Sequence, residues 1–435
     1  MMSAYAKISE LAGHVGEEVT VRGWLHNKRS SGKIAFLIVR DGTGLVQAVM
    51  SKADVTEPAW SQLDSLEYET SLAATGTVRP DKRAPGGYEM SLSGLEIVGS
   101  SSEDYPIQLK EHGVDFLLEN RHLWLRTPRQ VAIMRVRDEV IKAIRDFLYD
   151  RGFVNVDTPI LTGAIGESAG TLFETEYFDL GKAYLAQTGQ LYNEANAAAL
   201  GRVYCFGPTF RAEKSKTRRH LTEFWMLEPE MAWCDSECNM KVQEELVAYI
   251  VARAVERCRD ELEGPLERDV SRLATVQAPF PRLSYSDAIE KLQGADSEIA
   301  WGDDLGAEDE TLVAQDYDRP VFIYNYPKQA KAFYMKENPD DPRTVLCNDM
   351  IAPEGYGEII GGSQREDVHD KLLTRIREEG LPEEAYRWYL DLRRYGSFPH
   401  SGFGLGLERT VAWICGVHHV REVIAYPRTM NRIYP

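Results

Sequence analysis

The chain has 435 residues, of which 43% are hydrophobic and 27% are charged, so it is long enough for more than one globular domain. Its formal net charge of -18 argues against binding nucleic acid with the whole surface, although a local basic patch can still hold an RNA. The N-terminal segment lacks the apolar core of a signal peptide, and no apolar run approaches the length of a membrane span, so we expect a cytoplasmic protein.

The first predicted domain covers residues 1–100. Residues 18–99 contain five short stretches typical of strands, with the turns DGTG at 41–44 and DKRAPGG at 81–87 between them. Five strands of this spacing favour a small closed barrel, and the OB-fold is the leading candidate. Such a barrel binds single-stranded nucleic acid by stacking bases on aromatic side chains and following the backbone with basic groups.

A polar stretch at the start of residues 101–125 is typical of a linker, so a second domain is expected over residues 126–435. Apolar residues at helical spacing from Val131 to Leu148 predict a helix that ends at Gly152 and leads into a strand that meets Pro159. Further along, residues 235–275 have the pattern of a solvated helix pair, and residues 293–316 form an acidic insertion.

Residues 205–234 predict a long antiparallel hairpin with an unusual charge pattern. A strand that contains Arg211 is followed by a loop without apolar residues from Lys214 to His220, and apolar residues return from Leu221 onward. The planar guanidinium of Arg211 can grip phosphate oxygens, and Phe224 can stack on a base. The alternative is a solvated amphipathic hairpin with surface salt bridges, since charge runs usually face solvent.

A glycine pattern near the C-terminus allows two interpretations. Gly402, Gly404 and Gly406 occupy alternate positions of a predicted strand, so one face of that strand lacks side chains. Either a nucleotide approaches the backbone there, or the sheet packs tightly. Arg409 follows at the start of a predicted helix, whose dipole also favours anions, and this favours the nucleotide.

The cysteine pattern gives no evidence of a metal site. No CxxC pair occurs, and no histidine lies near Cys234, Cys238 and Cys258 to complete a tetrahedral zinc site. We therefore expect free thiols in a reducing compartment. The six cysteines are Cys205, Cys234, Cys238, Cys258, Cys347 and Cys415.

Three blocks of the sequence resemble class II aminoacyl-tRNA synthetases of the asparaginyl/aspartyl subgroup. The segments FGPTFRAE and RHLTEFWMLEPEMAW are similar to motif 2, SGFGLGLERTVAWICGV at 401–417 is similar to motif 3, and GYGEIIGGSQRE at 355–366 resembles the amino-acid and metal segment. Matching pieces run from about Val19 to the C-terminus. The resemblance implies an α+β fold, in which an OB-fold barrel precedes a synthetase domain built on an antiparallel β-sheet flanked by helices, and a homodimer through the motif 1 region near Pro159.

The resemblance also implies ATP and tRNA as substrates, with Mg²⁺ at the phosphates. Arg211 would contact the α-phosphate, Arg219 or His220 the terminal phosphates, and Arg409 would complete the clamp. The implied ATP-binding residues are Arg211, Glu213, Arg219, His220, Phe224, Glu358 and Arg409, of which Arg211, Glu358 and Arg409 are the catalytic ones. Asp349 and Glu358 are the implied Mg²⁺ ligands. The implied anticodon contacts are Arg29, Phe36, Gln47 and Glu96, although Phe36 is equally consistent with ordinary barrel core.

The identity of the amino acid depends on charge, because asparagine and aspartate have nearly the same shape. By resemblance, Arg365 holds the substrate side chain, and Glu167 and Gln190 hold its α-ammonium group. Aspartyl enzymes carry a lysine where this chain has Asn193, and the neighbouring Glu194 adds a negative charge that can accept from an amide and repel aspartate. The hypothesis is therefore asparagine as substrate.

Three alternatives remain. One is an aspartyl enzyme, with or without discrimination between the two tRNAs. Another is a paralogous ligase of the asparagine synthetase kind, which generally lacks the barrel expected at residues 18–99. The third is a catalytically silent nucleic-acid-binding module, against which the presence of Arg211, Glu358, Arg365 and Arg409 argues.

Overall fold

The computed structural model describes residues 4–163 and 171–435, which form two compact units with the boundary between Asn120 and Arg121. None of the helices in these ranges combines the length and the apolar composition that crossing a bilayer requires.

The first unit is a β-barrel. Its strands pair in the order β1-β2-β3-β4-β6-β5, and a further pairing of β2 with β5 closes the sheet, so the predicted barrel is confirmed. Alternate residues point inward, as in Ala35, Leu37 and Val39, which are at most 2% exposed. The elements are β1 Ala4–Tyr5, β2 Glu18–Ser31, β3 Ile34–Arg40, β4 Leu45–Ser51, α1 Glu57–Ser61, β5 Ser71–Pro80, β6 Tyr88–Gly99 and α2 Val114–Glu119.

The second unit is built on a large sheet with strand order β13-β14-β15-β16-β17-β12-β11-β7. Its central pairings are antiparallel, and the pairings at both edges are parallel, so the predicted α+β class with an antiparallel sheet is confirmed. A smaller sheet has the order β8-β10-β9. The strands are β7 Val154–Asn155, β8 Leu161–Thr162, β9 Glu174–Glu176, β10 Lys182–Leu185, β11 Arg202–Phe210, β12 Glu223–Ala232, β13 Arg282–Ser284, β14 Val321–Tyr324, β15 Cys347–Ala352, β16 Gly357–Gln364 and β17 His400–Gly406.

The helices Pro128–Asp150, Ser236–Arg257 and Leu407–Cys415 pack on one face of this sheet and form the main core with it. The predicted helix after the linker is α4, which is longer than expected at both ends but still stops just before Gly152. The helices are α3 Arg121–Trp124, α4 Pro128–Asp150, α5 Gln190–Leu200, α6 Ser236–Arg257, α7 Arg259–Glu263, α8 Ser271–Ala274, α9 Tyr285–Gln293, α10 Ala307–Ala314, α11 His369–Glu378, α12 Arg387–Arg394 and α13 Leu407–Cys415.

Residues 235–275 are not a solvated helix pair. Helix α6 belongs to the main core, and its residues Leu246, Val247 and Ile250 are 0% exposed. The prediction was wrong because polar residues also lie on the buried face of α6, so the apolar residues alone do not show a clear helical spacing. Asn239 is one of them, and its side-chain amide donates to the carbonyl of Gly402 at 3.0 Å.

The expectation of six free thiols was also wrong. Cys234 and Cys238 form a disulfide, with their Cα atoms 5.4 Å apart. Asp235 brings them together because its side chain caps α6 by accepting from the backbone N–H of Cys238 at 2.9 Å. The other four cysteines are free and buried.

Candidate active site

The predicted hairpin is present and places Glu228 and Glu230 on one face of the large sheet. Strands β11 and β12 pair antiparallel from Arg202 with Met231 to Phe210 with Glu223. In β12, Leu227 and Met231 belong to the helix-covered core, and the residues at the alternate, even-numbered positions point to the opposite face. That face carries Phe224, Met226, Glu228 and Glu230.

The glycine strand β17 lies beside β12, with Gly406 opposite Met226 and Gly402 opposite Glu230. A Cβ atom on Gly402 would clash with Glu230 and with the carbonyl of Pro229, so this position is glycine because the sheet packs tightly, whereas a Cβ atom on Gly404 would meet the flexible end of the Met226 side chain. A Cβ atom on Gly406 would meet nothing within 4 Å. Tight packing therefore explains Gly402, while the approach of a nucleotide to the open space beside Gly406 stays a prediction.

A cavity of about 460 Å³ opens on this face of the sheet. Its walls come from β12, β16, β17, the start of α13, the hairpin loop and the segment that precedes α10. All seven residues predicted to bind ATP line it: Arg211, Glu213, Arg219, His220, Phe224, Glu358 and Arg409. The volume lies within the range of small-molecule sites.

Cationic groups gather in the cavity. The guanidinium carbon of Arg211 lies 5.4 Å from the ring centre of Phe224. Arg409, in the first turn of α13, donates through Nη1 to the carbonyl of Glu358 at 2.8 Å, and this nitrogen lies 3.5 Å from the Glu358 carboxylate. Burial, together with the positive charge of Arg409, lowers the pKa of His220. The arginines thus offer donors to a negatively charged group, beside the carboxylates of Glu213, Glu310, Glu358 and Glu408 that line the same cavity.

Sequence reasoning missed Glu310, which also lines the cavity. It lies in α10, within the insertion of residues 293–316, and forms an ion pair with Arg219 at 2.9 Å. Burial and the nearby charge of Glu358 raise the pKa of Glu310 to about 7. Nothing in the sequence distinguishes Glu310 from the other acidic residues of this insertion.

The two predicted Mg²⁺ ligands converge on Gly361. A Cβ atom placed there would lie 2.8 Å from Glu358 Oε1 and 3.7 Å from Asp349 Oδ1. Burial and the charge of Glu358 raise the pKa of Asp349 to about 6. The second oxygen of Asp349 accepts from Lys331 Nζ at 2.8 Å, a cation that the sequence analysis did not single out.

Glu194 is fully buried in a polar network and is 1% exposed. Its Oε1 accepts from Tyr389 at 2.7 Å and from Gln190 at 3.2 Å. Its Oε2 accepts from Arg393 at 2.6 Å and contacts the His400 ring at 2.9 Å. Burial alone would raise the pKa of Glu194, but the charge of Arg393 outweighs it and lowers this pKa. Because a carboxylate offers about four acceptor positions, these partners occupy Glu194 completely.

Arg365 pairs with Glu230, a residue the sequence analysis left without a role. Glu230 accepts from Arg365 Nε at 3.0 Å and from Nη2 at 2.9 Å, and the two side chains are 3% and 1% exposed. Burial alone would lower the pKa of Arg365, but the charge of Glu230 raises it. Charged residues inside a buried strand are the sequence signal that points to Glu230.

The other predicted amino-acid-binding residues lie beside this network. The Asn193 side-chain amide donates to the carbonyl of Glu228 at 3.0 Å. The carboxylate of Glu228 accepts from the backbone N–H of Gly189 at 2.9 Å, immediately before Gln190. Glu167 lies outside the described residues. The structure thus brings Gln190, Asn193 and Glu194 together at the start of α5.

In the barrel, three of the four predicted anticodon contacts form one patch. The Arg29 guanidinium carbon lies 4.7 Å from the ring centre of Phe36, and Arg29 donates to Gln47 at 3.3 Å. Phe36 lies on the outer face of β3, since both of its chain neighbours are buried. Glu96 is not part of this patch, because it pairs with Ala73 of β5.

Two family models match the chain. Residues 113–430 match the tRNA synthetases class II (D, K and N), and residues 19–98 match the OB-fold nucleic acid binding domain. The chain therefore belongs to the class II tRNA synthetases (D, K and N).

Within this family, the chain is similar to asparagine–tRNA ligases over its whole length. The chain is 56% identical to an asparagine–tRNA ligase of Chloroflexus aurantiacus over 99% of both chains. It is 58% identical to an asparagine–tRNA ligase of Desulforamulus reducens, over 98% of this chain and 99% of the relative. Among solved structures, the asparaginyl-tRNA synthetase of Pyrococcus horikoshii complexed with asparaginyl-adenylate matches with a TM-score of 0.96 and 49% identity over 99% of both chains.

Proposed function

We propose that this protein ligates asparagine to tRNA in two steps. The asparagine carboxylate attacks the α-phosphorus of ATP, which forms asparaginyl-adenylate and releases pyrophosphate. A terminal ribose hydroxyl of tRNA then takes the asparaginyl group and releases AMP. The observation that carries the proposal is the full-length similarity to asparagine–tRNA ligases, together with the cavity lined by Arg211, Arg219 and Arg409 in the second unit, which we call the catalytic unit. The reaction belongs to translation, so the proposal places the protein in the cytoplasm.

ATP-dependent activation is supported by the arrangement of the cavity. Phe224 offers a face for the adenine ring, and we propose that Arg211 and Arg409, which line the same cavity, stabilise the negative charge that develops on the α-phosphate. His220 and Arg219 lie on the hairpin loop, beside the space for the terminal phosphates. Positioning and charge stabilisation suffice for this chemistry, so no covalent nucleophile is needed. ATP–pyrophosphate exchange tests it: exchange should require asparagine, and exchange with aspartate alone would contradict it.

Selection of asparagine is proposed to rest on the Arg365–Glu230 pair. Each carboxylate oxygen of Glu230 accepts one hydrogen bond from Arg365 and keeps a second acceptor position. Arg365 also donates from Nη1 to Ser363 at 2.7 Å. The pair therefore offers a donor and an acceptor side by side, which complements a carboxamide. An aspartate carboxylate would meet the negative charge of Glu230 instead. The charge of Glu194 lies close enough to Arg365 to stabilise its guanidinium, and Asn193 holds β12 in place by its hydrogen bond to the carbonyl of Glu228.

Mg²⁺ fits the residues around Gly361. Asp349 and Glu358 supply carboxylate oxygens that converge on one space, and Mg²⁺ is commonly held by one or two carboxylates plus substrate phosphates. When bound, Mg²⁺ would neutralise charge on the phosphate oxygens of ATP.

Replacing Asp349 with asparagine is expected to raise the Mg²⁺ concentration for half-maximal exchange by about 10-fold, or roughly 1.4 kcal/mol, because one charged ligand is lost. A magnesium titration of the exchange rate measures this. Asp316→Asn is the control, because Asp316 is 63% exposed in its side chain and lies outside the cavity. An unchanged magnesium requirement would remove Asp349 from the proposed ligands.

The barrel is proposed to read the tRNA anticodon with Arg29, Phe36 and Gln47. Replacing Phe36 with alanine is expected to raise KM for tRNA by about 10-fold, since stacking of one base contributes about 1–3 kcal/mol. Exchange without tRNA should not change. Steady-state aminoacylation measures the effect, with Val98→Ala as the control because Val98 is exposed on β6. Equal KM values for the variant and the control would contradict this role.

Two copies of the chain are proposed to associate through the region near Pro159. Val154, Ile160 and Leu161 of the catalytic unit are 44%, 46% and 46% exposed, which is typical of an apolar contact surface. Leu161→Glu is therefore expected to convert a species with twice the mass of one chain into a single chain, as measured by analytical ultracentrifugation. Val98→Glu is the control. A wild-type protein that sediments as a single chain at micromolar concentration would contradict the proposal.

A further inference from the structure

Helix α10 connects the insertion of residues 293–316 to the ATP cavity. Leu305, Gly306, Ala307 and Glu310 all line the cavity, although the sequence analysis assigned no function to this insertion. The side chain of Glu310 is only 14% exposed, and that of Arg219, which it contacts, is 8% exposed. A buried ion pair between an insertion and the hairpin loop indicates a specific arrangement, because surface charges rarely become so enclosed.

Both terminal nitrogens of Arg219 are directed at α10 and the turn before β16. Its Nη1 donates to Glu310 Oε2 at 2.9 Å and to the carbonyl of Ala307 at 3.2 Å. Its Nη2 donates to Thr311 Oγ1 at 2.8 Å and to the carbonyl of Gly355 at 2.5 Å. Each terminal nitrogen carries two hydrogens, so these acceptors use all four. The guanidinium thus joins the hairpin loop to α10.

Glu310 also contacts strand β16, which carries Glu358. Its Oε2, which accepts from Arg219, accepts in addition from the backbone N–H of Glu358 at 3.1 Å. A side chain at Gly357, which has a φ of 77°, would clash with both Glu310 and Arg219. One carboxylate oxygen therefore sets the distance between the hairpin loop and the strand that carries Glu358.

We propose that Glu310 is a positioning residue for ATP, which acts by holding Arg219 and thereby fixing the hairpin loop over the cavity. This inference rests on the proposed function. His220 follows Arg219 directly and lines the cavity, so the position of the loop decides where His220 and Arg211 meet the phosphates. Arg219 contributes by its attachment to α10, since its terminal hydrogens are already used. Prepositioned groups need no reorganisation when the ligand arrives, which is why the attachment matters for ATP.

The test measures KM for ATP and KM for asparagine in the exchange reaction. Glu310→Ala and Glu310→Gln are both expected to raise KM for ATP, by about 10-fold for alanine, while KM for asparagine stays within about twofold. The retained KM for asparagine shows that the variant is folded. Glu308→Ala is the matched control, because Glu308 lies in the same helical turn and is exposed. If Arg219 were instead a phosphate ligand weakened by its pairing with Glu310, removing Glu310 would lower KM for ATP, and that result would overturn the proposal.

A double-mutant cycle provides the second test. Arg219→Ala should raise KM for ATP, and the variant with both Glu310→Ala and Arg219→Ala should be no worse than Arg219→Ala alone, because both changes remove the same attachment. Additive effects, or no effect of Arg219→Ala, would overturn the inference. Equilibrium dialysis of ATP repeats the cycle without turnover. An effect on ATP binding in a protein that shows no asparagine-dependent exchange would therefore reject the proposed function and keep this inference.

Discussion

Replacing Arg409 with alanine is expected to lower kcat of asparagine-dependent exchange by about 10²–10³-fold. Loss of one preorganised donor at the developing charge of a transition state typically has an effect of this size. Arg409 is fixed from two sides, since it donates to the Glu358 carbonyl at 2.8 Å and to the carbonyl of Arg219 at 3.4 Å. Arg409→Lys should recover only part of the loss, because an ammonium group cannot reproduce the planar fork of donors.

Single-turnover formation of the adenylate separates this effect from substrate binding. Arg394→Ala serves as the control, because Arg394 is exposed at the end of α12. A tenfold or smaller loss in Arg409→Ala would mean that the cavity does not stabilise charge through this residue. The ATP site would then lie elsewhere in the catalytic unit.

Replacing Glu230 with glutamine is expected to lower kcat/KM for asparagine by about 100-fold, because a hydrogen bond involving a charged group contributes about 1.5–3 kcal/mol. The amide of glutamine places a donor against Arg365, so one of the two bonds between them is lost. The negative charge that opposes an aspartate carboxylate is lost as well. The ratio of kcat/KM for asparagine to that for aspartate should therefore fall by at least about 10-fold, or roughly 1.4 kcal/mol.

Glu237→Gln is the control, because Glu237 lies on α6 with 71% of its side chain exposed. Thermal unfolding must accompany the kinetics, since removing one partner of a buried ion pair costs about 3–5 kcal/mol when the other charge stays unpaired. A folded variant with an unchanged asparagine preference would show that the Arg365–Glu230 pair does not choose the substrate. Selection of asparagine over aspartate would then have to depend on Asn193 and its neighbours.

The sequence predicted the parts of the fold that follow local rules. The barrel strands, helix α4 and the hairpin of β11 and β12 were all found because their patterns repeat with the period of their own secondary structure. Alternation within β12 also explains how Glu228 and Glu230 reach one face. The resemblance of three short blocks then named seven ATP-binding candidates, and all of them line one cavity, although Glu358 and Arg409 are far from the hairpin in the chain.

Features that depend on partners distant in the sequence were not predicted. Glu194 was expected to face the substrate, but Arg393 and His400, about two hundred residues later, occupy its carboxylate. Glu310 could not be separated from its acidic neighbours, since only the fold brings it to Arg219. The disulfide between Cys234 and Cys238 joins close neighbours and was missed for another reason, because it depends on the cap of α6, a geometry that spacing alone does not reveal.

Aminoacylation with each amino acid tests the central claim most directly. The protein is incubated with ATP, Mg²⁺, bulk tRNA and either asparagine or aspartate, and the acylated tRNA is identified. Asparagine should be attached to tRNA that reads asparagine codons, with little or no attachment of aspartate. Attachment of aspartate at an equal or higher rate would contradict the proposal, and the Arg365–Glu230 pair would then have to hold a carboxylate.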